Sequence, residues 1–87
     1  MKKRPIPQRK RIVKIDLHGM TVRDAVDSFE ETLNRAILDE DVAQIEVIHG
    51  IGTGKVREGI HQYLRKSRVI SSFRLLDHNA GTTLVYL

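Results

Sequence analysis

The 87-residue sequence has no cysteine. That removes a disulfide framework, a thiolate nucleophile and any cysteine-based zinc site. Tryptophan is absent and aromatics make up only 5%. Phe29, Tyr63 and Phe73 fit core positions better than base-stacking ones, whereas Tyr86 suits either. No apolar run approaches the roughly 18 residues that span a bilayer. The basic start leads into Ile6-Pro7-Gln8 rather than an apolar stretch, so no secretory signal is visible. These absences leave no membrane-spanning helix to expect, no membrane partner is expected, and the cytoplasm is the default location. The residues present are 40% apolar and 30% charged, a globular balance at a length that suits one domain.

Positive charge is unevenly placed. Lys2, Lys3, Arg4, Arg9, Lys10, Arg11 and Lys14 give residues 1–14 seven positive charges and no negative ones. Residues 15–87 then hold eight Lys and Arg against eleven Asp and Glu, a net of −3. The overall +4 therefore belongs to a flexible basic arm, residues 1–11, and not to the body at 12–87. Pro5 and Pro7 keep that arm extended, because each fixes its own φ and biases its predecessor away from helix. A basic arm of this kind suits a phosphate backbone; a solubilising terminus is the plainer alternative. Lys10 and Arg11, at its end, are candidate nucleic-acid contacts. Within the body, residues 49–76 carry Lys55, Arg57, Arg65, Lys66, Arg68 and Arg74 against Glu58 alone. Any anion site in the body is expected there.

Ile12 to His18 alternates, with Val13, Ile15 and Leu17 on one side and Lys14, Asp16 and His18 on the other, as in a half-buried strand. After Gly19, Thr21 and Asp24 form the start signal of a helix. Val22, Ala25, Val26, Phe29, Leu33, Ala36 and Ile37 continue it with helical spacing, and it is expected to stop near Asp39–Asp41. Ile45 to Ile48 reads as a second strand. The glycine-spaced run from His49 to Lys55 reads as a loop. A second helix carries Val56, Ile60, Tyr63 and Leu64 on its apolar face. Gly59 inside it costs about 1 kcal/mol relative to Ala unless close packing requires it. Ser71–Leu76 and Thr82–Leu87 read as a hairpin around a tight Asn79-Ala80-Gly81 turn. The order βαβαββ predicts an α/β fold. It is a two-layer open sandwich, with a four-stranded mixed sheet and two helices on one face.

The chemistry is expected at two strand ends. Asp16-Leu17-His18-Gly19 closes the first strand and His49-Gly50-Ile51-Gly52 the second. In such sheets ligands bind at the carboxyl ends of parallel strands. Asp16, His18 and His49 are expected to converge there as candidate catalytic residues. Taken singly, each has a plain structural reading, as a turn cap or a hydrogen-bonded edge residue. Gly50, Gly52 and Gly54 allow close backbone approach and lead into a helix N-terminus that favours an anion. Lys55 and Arg57 add full charges, so a phosphate is the expected guest. The Gly50–Val56 run resembles part of a P-loop, but it is short and Val56 stands where a magnesium-binding Ser or Thr would be, which excludes an ATPase. His61 reads as a helix surface residue and His78 as a turn residue, without assigned roles.

At these residues the sequence resembles the Smr (small MutS-related) domain family. Ile15-Asp16-Leu17-His18-Gly19 is similar to its Leu-Asp-x-His motif, with Ile15 for the usual Leu, and His49-Gly50-Ile51-Gly52 matches its His-Gly-x-Gly motif. Gly81 to Leu87 resembles its terminal strand, although a second Gly often found before Gly81 is absent. The resemblance covers about Ile12 to Leu87, as a stand-alone member or an expressed fragment. It implies a fold like the C-terminal domain of translation initiation factor three, and nuclease activity. Some members cleave or nick DNA, some cleave RNA, including mRNA on stalled ribosomes, and some act mainly as binding modules.

The expected function is therefore an endonuclease acting on RNA or on non-duplex or branched DNA. Attack by a 2′-hydroxyl needs no metal; attack by water on DNA suits a divalent ion, Mg or Mn, held by Asp16 with a His. No metal site is assigned from the sequence. The alternative is a non-catalytic DNA-, RNA- or ribosome-binding module using the same arm and loop. A small-molecule phosphate enzyme is a weaker third reading, since such ligands prefer enclosed pockets. The chain is expected to be a monomer in isolation.

Overall fold

The computed structural model describes residues 11–76 and 78–87. Lys10 and the rest of the arm before Arg11 lie outside the described residues. The elements run β1 (Arg11–Asp16), α1 (Val22–Ile37), β2 (Val42–Ile48), α2 (Lys55–Lys66), β3 (Ser72–Leu76) and β4 (Asn79–Tyr86). They form one mixed sheet in the order β1-β2-β4-β3, with β1 parallel to β2 and the other pairs antiparallel. This is the α/β arrangement expected from the element order. No helix among the described residues is long and apolar enough to cross a membrane.

Alternation sets the two faces of the sheet. Leu17, Ile45, Val47 and Val85 are buried in a single cluster with Ala25, Phe29 and Leu33 of α1 and Ile60 and Leu64 of α2. Val13, Ile15 and Phe73 pack against it, so both helices lie on one face. Residues of the opposite parity, such as Lys14 and Asp16, are exposed on the other face. Phe29 is fully buried and meets Tyr63 edge-on at 5.7 Å between ring centroids. Tyr86 lies on the uncovered face, where its hydroxyl accepts from Arg74 Nε at 3.2 Å.

Local signals explain the helix ends. Thr21 caps α1, its hydroxyl accepting from the Asp24 amide at 3.1 Å. Gly59 lies where the helices press together: a Cβ there would stand 2.5 Å from Val22 Cγ1. Close packing accounts for this glycine inside a helix.

Three boundaries differ from expectation. Arg11, assigned to the arm from its charge, is the first residue of β1; its amide donates to Asp41 O at 2.9 Å and its guanidinium pairs with Asp39 at 3.4 Å. It therefore marks the end of β1 opposite Asp16. β2 starts at Val42 rather than Ile45, because pairing with Arg11 and Ile12 recruits the earlier residues. Asn79-Ala80-Gly81 is not the hairpin turn. These residues belong to β4, with an irregular register where Leu76 faces Asn79, and the Asn79 side chain accepts from the Gly81 amide at 3.2 Å. His78 lies in the turn, as expected.

Candidate functional site

The parallel pair β1–β2 ends with Asp16 opposite Ile48, and the Leu17 amide extends the pairing by donating to Ile48 O at 2.7 Å. The chain then leaves the sheet, and His18 folds back on Asp16. Asp16 Oδ1 accepts from the His18 backbone amide at 3.1 Å and lies 2.6 Å from His18 Nδ1. Both side chains are open to solvent, 55% exposed for Asp16 and 68% for His18. The hydrogen bond to the imidazole holds the Asp16 carboxyl below the ordinary carboxylate range, and the same bond raises His18 above the ordinary imidazole value. A carboxylate on Nδ1 fixes the ring's orientation and leaves Nε2 as the atom that exchanges a proton.

His18 borders a cleft of about 330 Å³ whose lining includes Met20, His49, Lys55 and Arg57 and the loop between the last three. Asp16 stands behind His18 and does not line the cleft. Gly50 is the point of closest approach. A Cβ on it would fall 3.1 Å from His18 Cβ, and its φ of +82° is one that L side chains rarely adopt. On its other side, a Cβ on Gly81 would come within 3.3 Å of Gly50 Cα. The His49 and Gly50 amides both donate to Gly81 O, at 2.9 and 3.0 Å. The glycine-spaced loop is thus sewn to β4 and pressed against the turn that carries His18.

From there the loop runs through Gly52 and Gly54 to α2. Gly54 is the N-cap, with φ +84° and no side-chain capping bond. The first-turn amides of α2 therefore face the cleft side of the helix with the positive end of its dipole. The Arg57 guanidinium lies 3.1 Å from where a side chain on Gly54 would begin. Lys55 and Arg57 have no ion-pair partner among the described residues, whereas Glu58 is paired with Arg65 at 3.2 Å. The basic half of the body thus places two uncompensated charges on the cleft.

His49 shares the cleft but not the exposure. It has the parity of Ile45 and Val47 and points towards the helix-covered core, with only 4% of its surface exposed. Its Nδ1 lies 2.9 Å from Gly50 O and its Nε2 2.8 Å from Thr83 Oγ1. Burial pushes its pKa down, more strongly than the Gly50 hydrogen bond raises it. The structure thus brings His18, Gly50, Gly52, Gly54, Lys55 and Arg57 together around one cleft, with Asp16 behind. The His49 ring bonds to Gly50 O and Thr83 rather than to Asp16 or His18, and Arg11 is at the far end of β1.

Two residues outside the motifs belong to this neighbourhood. Thr83 is fully buried on β4, and its parity with Val85 in the last strand was the signal for it. His61, expected on the helix surface, is half-buried. Its Nε2 is 2.7 Å from Thr83 Oγ1, and its ring contacts Phe73 at 5.1 Å and His49 at 5.9 Å between centroids. Among the described residues no three His, Asp or Glu side chains gather as a metal-binding group.

Comparison with known proteins agrees with this architecture. The family model of the Smr domain matches residues 15–87. The chain is 40% identical over 68 residues to a protein named endonuclease MutS2 from Streptococcus gordonii, and 38% identical over 68 residues to that of Streptococcus sanguinis. Each match covers 78% of this chain and only 9% of the relative. The crystal structure of the Smr domain of Thermus thermophilus MutS2 superposes with a TM-score of 0.80 at 29% identity, covering 86% of this chain and 96% of that one.

Proposed function

This chain belongs to the Smr domain family, and from that premise we propose that it is an endonuclease, cleaving phosphodiester bonds in RNA or in non-duplex or branched DNA. The observation that carries the proposal is the 2.6 Å contact between Asp16 and His18 at the edge of a cleft lined by glycines, a helix N-terminus, Lys55 and Arg57. The relatives named as endonucleases are about eleven times longer than the matched segment, so their name supports the reaction class and no more.

Phosphodiester cleavage requires a proton to leave the nucleophile, a proton to reach the departing oxygen, and stabilisation of charge on the phosphorus centre. Asp16 orients His18 and stabilises its charged form. His18 Nε2 accepts the proton of a ribose 2′-hydroxyl as that oxygen attacks phosphorus. The bond to the 5′-oxygen breaks, and the imidazolium just formed is the nearest acid for that oxygen. The loop amides with Lys55 and Arg57 hold the non-bridging oxygens. Of the two motif histidines, His18 takes the proton transfer, because both nitrogens of His49 are engaged internally. On DNA, water must be the nucleophile, and a divalent ion bound through Asp16 and the substrate phosphate would supply its activation. An open cleft suits a strand laid across it, with the basic arm, including Lys10, adding salt-sensitive contacts to the phosphates.

The test is to incubate wild type, Asp16→Ala and His18→Ala with labelled single-stranded RNA and with single-stranded and branched DNA, with and without EDTA. RNA products ending in 2′,3′-cyclic phosphate, formed in EDTA and lost in both variants, support the mechanism. Full activity in either variant overturns the site assignment. Salt-sensitive binding with no product after long incubation replaces the enzyme with a nucleic-acid- or ribosome-binding module.

A further inference from the structure

Behind the cleft, three polar side chains on three different elements meet inside the core. His49 directly follows β2, Thr83 lies mid-way along β4, and His61 lies on α2. Thr83 Oγ1 is 2.8 Å from His49 Nε2 and 2.7 Å from His61 Nε2, and His49 Nδ1 is 2.9 Å from Gly50 O. Neither His61 nor Thr83 borders the cleft. Buried polar groups cost stability unless each is satisfied, so the direction of every bond here is constrained.

The directions follow from a proton count. Gly50 O is a carbonyl and only accepts, so His49 Nδ1 carries a hydrogen. The neutral His49 ring then has Nε2 as an acceptor, and the Thr83 hydroxyl must donate to it. That hydroxyl has one hydrogen, now directed at His49, so towards His61 it accepts, and His61 carries its hydrogen on Nε2. Burial holds both rings on the neutral side of the ordinary imidazole range, in keeping with this count. The chain reads His61 Nε2–H to Thr83 Oγ1–H to His49 Nε2, then His49 Nδ1–H to Gly50 O.

We propose that Thr83 and His61 are positioning residues for the phosphate loop, holding His49 in its Nδ1–H tautomer so that it anchors the Gly50 carbonyl. Gly50 is then gripped at both ends of its residue, its amide by Gly81 O and its carbonyl by His49. The peptide that begins the loop has a fixed orientation, and so do the amides that follow it towards α2. The chain makes the backbone at Gly50, against which His18 packs, rigid before any ligand arrives. Preorganised donors of this kind need no rearrangement when charge develops on a bound phosphate. The inference rests on the proposed function only for the identity of the ligand.

The experiment uses the full chain, labelled with ¹⁵N, and reads the imidazole tautomers from long-range ¹H–¹⁵N spectra at a pH above the histidine range. The expected result is a pair of opposite neutral tautomers, Nδ1–H for His49 and Nε2–H for His61. Thr83→Val keeps the side-chain shape and removes the hydroxyl, whereas Thr83→Ser retains the hydroxyl. A 2′-O-methyl oligoribonucleotide, which cannot be cleaved through its 2′-oxygen, serves as the binding probe. Loss of the chain should weaken its binding about tenfold in Thr83→Val, the equivalent of one net hydrogen bond, with near-complete recovery in Thr83→Ser. His61→Phe keeps the ring packing on Phe73 and should weaken binding in the same direction.

Equal tautomers in the two rings, or an Nε2–H tautomer at His49, overturn the proposal. So does a folded Thr83→Val that binds like wild type. If Thr83→Val fails to fold, the wild-type tautomers and His61→Phe decide the matter. Opposite tautomers and weakened probe binding in a protein that cleaves neither RNA nor branched DNA would uphold this inference while overturning the endonuclease reading.

Discussion

Replacing Gly50 with Ala tests whether the loop and His18 act as one unit. Two effects are expected. The φ of +82° places an L residue in left-handed space, which costs about 1–2 kcal/mol. The new methyl also stands 3.1 Å from His18 Cβ, tighter than ordinary contact, and His18 Cβ cannot swing aside as a flexible chain end can. The turn carrying His18 must therefore give by a few tenths of an ångström. Gly19 is the internal comparison, since its φ is also +82° but a Cβ there meets nothing within 4 Å. Both variants should lose the backbone term, lowering the melting temperature by roughly 4–16 °C for a domain of this size. Gly50→Ala should fall further than Gly19→Ala, and its cleavage should drop by at least about tenfold, since misplacing a reacting group by about 1 Å costs on the order of a hundredfold. Circular dichroism melts and single-turnover RNA cleavage measure the two effects. A Gly50→Ala protein that melts with Gly19→Ala and cleaves at the wild-type rate would refute the coupling.

Two further outcomes follow from the charges and the histidines. Lys55→Gln and Arg57→Gln should each reduce the slope of log affinity against log salt by about 0.7 for a single-stranded ligand, while Arg11→Gln, at the far end of β1 and paired with Asp39, should leave it unchanged; equal slopes in all three would remove the cleft from the binding surface. His49 and His61 have pKa values lowered by burial, so they take up protons more readily in the unfolded chain. Their contribution to stability is present above the ordinary value of about 6.5 and is lost as pH falls through their folded values. His18, raised by Asp16, acts in the opposite sense: its contribution is present below about 6.5 and is lost as pH rises through its folded value. Urea midpoints measured down from pH 7.5 should therefore fall less steeply in His61→Phe than in wild type, and parallel curves would contradict the burial of that imidazole.

The fold was legible where a side-chain pattern and a capping residue agreed. Val13, Ile15 and Leu17 alternate into the core, and Thr21 caps α1 as its spacing with Asp24 indicates. It was less legible where pairing overrides composition. Asn79, Ala80 and Gly81 have turn chemistry, yet β4 begins with them because Leu76 pairs with Asn79 and Gly81 O takes two amides from the loop after β2. Val42-Ala43-Gln44 has little strand character of its own and is extended by its neighbours on both sides.

At the site, motif spacing located Asp16, His18 and the glycine loop, because strand ends and glycines mark ligand-facing turns. The orientation of His49 was also present in the sequence, in its alternation with Ile45 and Val47, although its place beside two glycines drew attention to the rim. Thr83 and His61 were harder to read. Each follows an apolar pattern, in β4 or beside the Ile60–Leu64 stripe, and only the tertiary contact between those patterns shows that their polar atoms satisfy one another.

The most direct measurement is the single-turnover rate of RNA cleavage against pH for wild type and Asp16→Asn. His18 must be neutral to accept the 2′-hydroxyl proton, so the wild-type rate should fall on the acid side along a limb lying above the ordinary imidazole value. Removing the carboxylate charge should move that limb to lower pH and depress the plateau, since Asp16 is what raises His18 and holds its ring. Superimposable profiles, or a limb unmoved by the substitution, would contradict the assignment of proton transfer to the Asp16–His18 pair.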